Sequence, residues 1–180
     1  MDAGPGVAEP AGRPPFDGIV RPASVADLPA VAAIYTHYVL KTTVTFATSV
    51  RTPAQWRARF HEKVTRGRHT MLVAQRRGGV AGYVETSRFR PQDSYDTAVE
   101  TSIYVAPDQG SHGVGAALYA DLFTRLEASD LHRAFAVIAL PNDASVAIHE
   151  RFGFVHRGTL TEAGRKFGRW LDVAYFERPL

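Results

Sequence analysis

Thr101-Ser-Ile-Tyr-Val-Ala-Pro-Asp-Gln-Gly-Ser-His-Gly-Val-Gly-Ala-Ala-Leu-Tyr119 decides how the chain is read: the end of a strand, a Gly-rich turn, then the start of a helix. Ser102 to Val105 is rich in β-branched and aromatic residues and is closed off by Pro107. Val114, Ala117, Leu118, Leu122 and Leu126 recur at helical spacing, which predicts a helix from Gly113 to about Ala128. A helix that begins directly after glycines leaves N–H groups unpaired at its first turn, and with the helix dipole these form a site for an anion such as phosphate. The same glycines can equally serve only as a tight turn. No Gly-Lys-Ser/Thr completes a P-loop, and Gly110-x-x-Gly113-x-Gly115 has the wrong spacing for a dinucleotide fingerprint. What remains is a loop able to hold a diphosphate without a lysine or a metal.

Upstream, the strand runs from about Thr97 to Val105. Alternation places Glu100, Ser102 and Tyr104 on one face and Val99, Thr101, Ile103 and Val105 on the other. A glutamate inside such a strand needs a partner or works as a base with a raised pKa, since an unpaired buried carboxylate is costly. Ser87 to Ser94 is a loop that carries Arg88 and Arg90 around Phe89, with Tyr95 following. Two arginines there form either a solvated surface or, beside aromatics, a fork for a carboxylate.

Downstream, Ala134 to Leu140 is a short apolar run, expected to be a strand buried on both faces and parallel to the first. Asn142 then caps a helix that reaches Phe152 and stops at Gly153. Phe154 to Leu160 returns as a strand, Ala163 to Gly168 reads as a basic loop, and Trp170 to Glu177 as the last strand.

The N-terminal part is expected to be a disordered tail over residues 1–17, because its Gly, Pro and Ala cannot repay the entropy of ordering, followed by one domain over 18–180. Ile19 to Ala23 is a short strand, and Ser24 with Asp27 marks a helix N-terminus that buries Leu28, Val31, Tyr35, Tyr38 and Val39. Phe46 lies in a polar, β-branched stretch as a core plug or a pocket residue. Thr52-Pro53 opens a second helix through Trp56 and Phe60. Thr70 to Ala74 and Val80 to Val84 are strands of a hairpin.

The composition of the 180-residue chain, 45% hydrophobic and 22% charged, suits a single globular domain. No apolar run nears the roughly 20 residues of a membrane span, and the N-terminus lacks signal-peptide order, so a cytoplasmic protein with no membrane partner is expected. Its net charge of +3 is too scattered for a nucleic-acid footprint but favours small anions. The absence of cysteine excludes disulfides, thiolate metal sites and an acyl-cysteine intermediate.

Taken in order, Ile103-Tyr-Val-Ala-Pro107, the Gly113-x-Gly115 helix start, Asn142, and His149-Glu-Arg-Phe-Gly-Phe154 resemble the GNAT N-acetyltransferases, and among them the phosphinothricin acetyltransferase group. Thr36-His-Tyr38, Thr43 to Phe46, Ala136 to Val146 and Lys166 to Asp172 carry the likeness across almost the whole chain. The resemblance implies an α/β (α+β) fold with a mixed central sheet, a splayed parallel strand pair and flanking helices. It implies acetyl-CoA in the splay: Ile103, Tyr104 and Val105 along the thioester, Ser111, His112, Gly113, Val114, Gly115 and Ala116 at the diphosphate, and Asn142 on the pantetheine arm, unless Asn142 is only a cap. No metal is expected. Gly110 and Ser111 replace the Gln and basic residue common early in this loop, and Gln92 stands where phosphinothricin enzymes carry a second basic residue.

In the mechanism so implied, Glu100 is the general base, directly or through water, and a main-chain N–H near Ile103 to Val105 stabilises the oxyanion. His149 is a proton donor, a substrate contact or simply structural. Phe46, Arg88, Arg90, Tyr95, Tyr104 and Lys166 are the acceptor-pocket candidates, with the Lys166 loop completing the site across a homodimer. The expected acceptor is the α-amino group of an amino-acid analogue such as L-phosphinothricin or L-methionine sulfoximine or sulfone, with herbicide resistance as the associated trait. The alternatives are another small amine, a protein N-terminus, or a non-catalytic acyl-CoA-binding protein. Arg88 and Arg90 favour a carboxylate-bearing acceptor over a cationic one.

Overall fold

The structure, a computed structural model, describes residues 15–65, 67–110 and 112–180. One mixed sheet has the order β1-β2-β3-β4-β5-β7-β6. Its strands are β1 (Ile19–Pro22), β2 (Met71–Arg76), β3 (Gly79–Arg88), β4 (Ala98–Val105), β5 (Arg133–Ala139), β6 (Val155–Lys166) and β7 (Arg169–Pro179). All neighbours are antiparallel except β4 and β5. Around them pack α1 (Leu28–Lys41), α2 (Pro53–Phe60), α3 (Val114–Glu127) and α4 (Asp143–Arg151). None of the described helices is long and apolar enough to cross a membrane.

Local sequence explains where these elements begin. Ser24 and Asp27 form a capping box ahead of α1, and Arg21 grips the Asp27 carboxylate at 2.7 and 2.8 Å. Thr52 and Gln55 cap α2 reciprocally, with bonds of 3.2 and 2.8 Å, and Pro53 takes the first helical position. Past Phe60 the chain winds one wider turn over His61–Thr65. Arg77 and Gly78, both at positive φ, make the two-residue β2–β3 turn whose twist matches the strands.

Two hydrophobic cores sit on opposite sides of the sheet. One joins α3 to Leu72, Val84, Val99, Ala134, Ala136, Ile138 and Phe176. The other joins α1 and α2 to Met71, Val73 and Tyr83, with Tyr104 packed against it. The pleat of β4 therefore sends Val99, Thr101, Ile103 and Val105 to the α3 face, and Glu100, Ser102 and Tyr104 to the α1/α2 face.

Three expectations need correction. β5 is not buried on both faces: Ala134, Ala136 and Ile138 are covered, but Val137 is 37% exposed, because α1 packs over β3 and β4 instead. The expected basic loop at 163–168 is the end of β6 and a two-residue turn at Phe167 and Gly168, both at positive φ. The strand extends this far because a bulge at Glu162, at positive φ with its N–H bonded to Asp172 Oδ1 at 2.8 Å, absorbs a shift in register. Residues 1–14 of the expected tail lie outside the described residues, but Phe16 packs on the α3 core and Asp17 pairs with Arg76.

Candidate active site

β4 and β5 pair only over Ala98–Arg133, Val99–Ala134 and Glu100–Phe135, then separate. On its other edge β4 stays paired with β3 as far as Val105–Gly82, and Ala106 N–H donates to Ala81 O at 2.8 Å. Main-chain groups alternate in direction along a strand, so Thr101 N–H closes the last ladder bond to Phe135, and the Thr101 C=O with the main-chain groups of Ile103 and Val105 faces the edge that β5 has left. Buried main-chain donors and acceptors need partners, so this edge is built to receive a polar chain. Val105 O is already occupied by the Tyr38 hydroxyl at 2.6 Å, which leaves its N–H facing the opening.

The α3 end of the cleft offers the anion site. Gly113 stands at φ 74° as N-cap, and the first helical bond runs from Ala117 N–H to Gly113 O, so the N–H groups of the first turn are unspent. Only glycine takes that conformation without strain. Gly115 lets α3 and α4 approach: an added Cβ would lie 2.8 Å from Ile148 Cδ1. His112 Nδ1 lies 2.8 Å from Gly110 O. Asn142 caps α4, its Oδ1 accepting from Ser145 N–H at 3.3 Å.

At the point of divergence, on the α3 face, lies a closed polar chain. His149 is 3% exposed, and its Nδ1 sits 2.6 Å from Ser145 O, which can only accept, so Nδ1 carries the proton. Nε2 therefore accepts from the Tyr119 hydroxyl at 2.7 Å. Thr101 Oγ1 follows, 3.3 Å from the Tyr119 oxygen and 3.4 Å from Phe135 O. Burial pushes the His149 pKa down and that of Tyr119 up, so both rings are neutral near pH 7.

On the α1/α2 face Glu100 stands at the last paired position before the strands part. Burial raises its carboxyl pKa, against which Arg90 and then Lys63 pull it down, while Glu85 adds a push upward. Arg90 lies over the Phe89 ring, 4.3 Å from its centroid, and Phe89 stacks on Phe135 at 3.8 Å with Tyr95 edge-on at 5.8 Å. An aromatic platform thus borders Glu100. Tyr104 stacks on Tyr83 at 5.3 Å and meets Tyr35 and Tyr38.

The Acetyltransferase (GNAT) domain model matches residues 20–174. The chain belongs to the GNAT acetyltransferase family. As a GNAT protein it is an acetyl-CoA-dependent N-acetyltransferase. It is 47% identical over 163 residues to the phosphinothricin N-acetyltransferase of Streptomyces coelicolor, covering 89% of this chain and 95% of that one. It is 35% identical to the L-methionine sulfoximine/L-methionine sulfone acetyltransferase of Pseudomonas paraeruginosa, over 88% of this chain and 92% of that one. The crystal structure of a phosphinothricin acetyltransferase from Sinorhizobium meliloti in complex with AcCoA superposes with a TM-score of 0.86 at 35% identity, over 91% of this chain and 88% of that one.

Against this GNAT frame the expected site residues divide. Glu100, Ile103, Tyr104, Val105, Gly113, Val114, Gly115, Ala116 and Asn142 gather around the fork and the first turn of α3. Ser111 lies outside the described residues. Arg88 belongs elsewhere: it pairs across from Val99, so the pleat puts it on the α3 face, opposite to Glu100, where Asp93 and Asp96 hold it at 2.8 and 2.7 Å. Lys166 is 3% exposed, and its ammonium donates to Thr45 O at 2.6 Å and Tyr38 O at 3.3 Å. It ties β6 to the end of α1, so its charge is withdrawn from any acceptor. Phe46 is 39% exposed and lies on β6, where a Cβ at Gly164 would come within 2.7 Å of its ring. His149, enclosed with both nitrogens engaged, is not placed to touch an acceptor. Tyr119, Thr101 and Phe135 carry no site signal in the sequence. Tyr119 occupies an ordinary helix position, and Phe135 sits within a run that reads as core.

Proposed function

We propose that the GNAT protein acetylates the α-amino group of a small amino-acid analogue of the phosphinothricin or methionine sulfoximine/sulfone type, by direct transfer in a ternary complex. The observation that carries this is the placement of Glu100, a half-buried carboxylate with raised pKa, at the last paired position of the fork, beside Arg90 and the aromatic platform over which Arg90 lies. A guanidinium beside stacked rings suits a carboxylate-bearing acceptor with a short apolar stem. The names of the two relatives support the same acceptor class.

Acetyl-CoA supplies the activated acetyl thioester. The main chain of Ile103 and the Val105 N–H would hold its arm with Asn142 beside them, and the first-turn N–H groups of α3 would take its diphosphate. Glu100 removes a proton from the acceptor ammonium, which must be neutral to attack. Since burial raises the Glu100 pKa, turnover falls as the pH drops through a value above the ordinary carboxylate range.

A thiol-release assay with acetyl-CoA, whose background the cysteine-free chain keeps low, tests the acceptor. L-phosphinothricin and L-methionine sulfoximine are expected to turn over, and polyamines are not; the reverse preference overturns the acceptor class. Glu100→Gln is expected to lower kcat roughly 10²–10⁴-fold. We place the enzyme in the cytoplasm as a homodimer, with Phe167 and Trp170, 57% and 59% exposed at the β6–β7 turn, as contacts; sedimentation as a monomer would remove the dimer.

A further inference from the structure

Next to Glu100, on the same face, lies a buried charge cluster that the proposed reaction does not use. Glu85 of β3 is directly opposite Ser102, and Glu100 is the next residue along that face of β4. Diagonal neighbours of this kind stand about 7–8 Å apart. The Glu85 side chain is 7% exposed; Arg59 Nη2 bonds it at 2.6 Å and Lys63 Nζ faces it at 3.8 Å. That second distance is too long for a hydrogen bond, and neither Lys63 Nζ nor Glu85 Oε2 has a hydrogen-bond partner among the described residues.

A buried cation without hydrogen bonds is a poor stabilising device, because its desolvation is offset only by charge. Its effect on the neighbouring carboxylates remains strong, since screening is weak where water is excluded. The fields of Lys63 and Glu85 both reach Glu100, with opposite signs. The other groups around them are Arg51 before α2, Tyr35 of α1, Tyr83 of β3, Tyr104 of β4, His69 ahead of β2, and Arg90 after β3. Of these, Arg51 is held over the Tyr35 and Trp56 rings at 4.6 and 5.2 Å.

We propose that Lys63 and Glu85 are positioning residues that set, in opposite directions, the pH range in which Glu100 is an open base. Lys63 is the counter-cation that keeps the Glu100 carboxylate charged, and Glu85 anchors Lys63 while limiting its influence. The wider turn at His61–Thr65 after α2 carries Lys63 to this position. The inference rests on Glu100 as the base.

The test is the pH profile of kcat/KM for L-phosphinothricin in Lys63→Met, Glu85→Gln, Lys63→Arg and Glu100→Gln, each checked for a cooperative melt. Lys63→Met is expected to move the acid limb to higher pH by on the order of half to one unit, a roughly three- to tenfold lower rate below the limb. Glu85→Gln, of the same shape, moves it to lower pH, and Lys63→Arg restores it. Should Lys63→Met not fold, Glu85→Gln and Lys63→Arg still read the effect. Limbs that stay fixed, or that move together in Lys63→Met and Glu85→Gln, overturn the inference while a limb lost in Glu100→Gln keeps Glu100 as the base. A limb retained in Glu100→Gln instead overturns the base, and the inference with it.

Discussion

The two faces of the sheet at the fork treat their polar groups differently. On the α3 face, Ser145 O, His149, Tyr119 and Thr101 form a chain in which each buried ring atom has a partner. On the α1/α2 face, Glu100, Glu85, Lys63 and Arg59 are ionisable, and several of their atoms lack hydrogen bonds among the described residues. A satisfied neutral network fixes geometry, whereas a set of partly paired charges fixes a potential. The difference suggests a division of labour: one face holds the strands apart for the coenzyme, and the other prepares the amine.

The sharpest way to break this comparison is His149→Ala. It removes the acceptor of the Tyr119 hydroxyl, leaves a cavity in the buried network and is expected to cost about 3 kcal/mol in denaturant unfolding. Its pH signature follows from the lowered His149 pKa. The unfolded chain takes up the proton first, so this contribution is complete above about pH 6.5 and is lost as the pH falls through the folded value. The variant should lose that dependence.

Next in size is a contrast between two arginines. Arg90→Leu should raise the acceptor KM about tenfold and move the acid limb of the rate upward, since Arg90 favours charged Glu100. Arg88→Leu, on the opposite face and among aspartates, should leave kcat/KM within about twofold. Equal effects would erase the distinction between the faces.

A smaller effect than that of Arg90→Leu is expected of Gly113→Ala. At φ 74° an alanine should cost about 1 kcal/mol and raise the KM for acetyl-CoA while leaving that for the acceptor unchanged.

Much of this was legible in the chain. Strand, glycine turn and helix from Thr101 to Tyr119 gave β4, the Gly113 cap and α3, because periodicity and turn chemistry there agree with the tertiary structure. The alternation that isolates Glu100 on one face also holds. Arg88 was misplaced because a loop reading ignores the pleat, and β3 continues to Arg88. Lys166 reads as an acceptor-pocket residue by resemblance alone, and nothing local reveals that two carbonyls of distant residues await it. Lys63 and Glu85 carry no motif at all. Their proximity comes from α2 folding over β3, a contact between segments far apart in sequence.

With main-chain pairing between β4 and β5 limited to three positions, the sheet has a seam down its middle. Leu72 and Val84 on one side and Ala134, Ile138 and Phe176 on the other nevertheless share a single interior under α3. Side-chain packing, not backbone bonding, stitches the halves into one cooperative body. The molecule is therefore expected to melt as a unit despite the gash in its own backbone ladder.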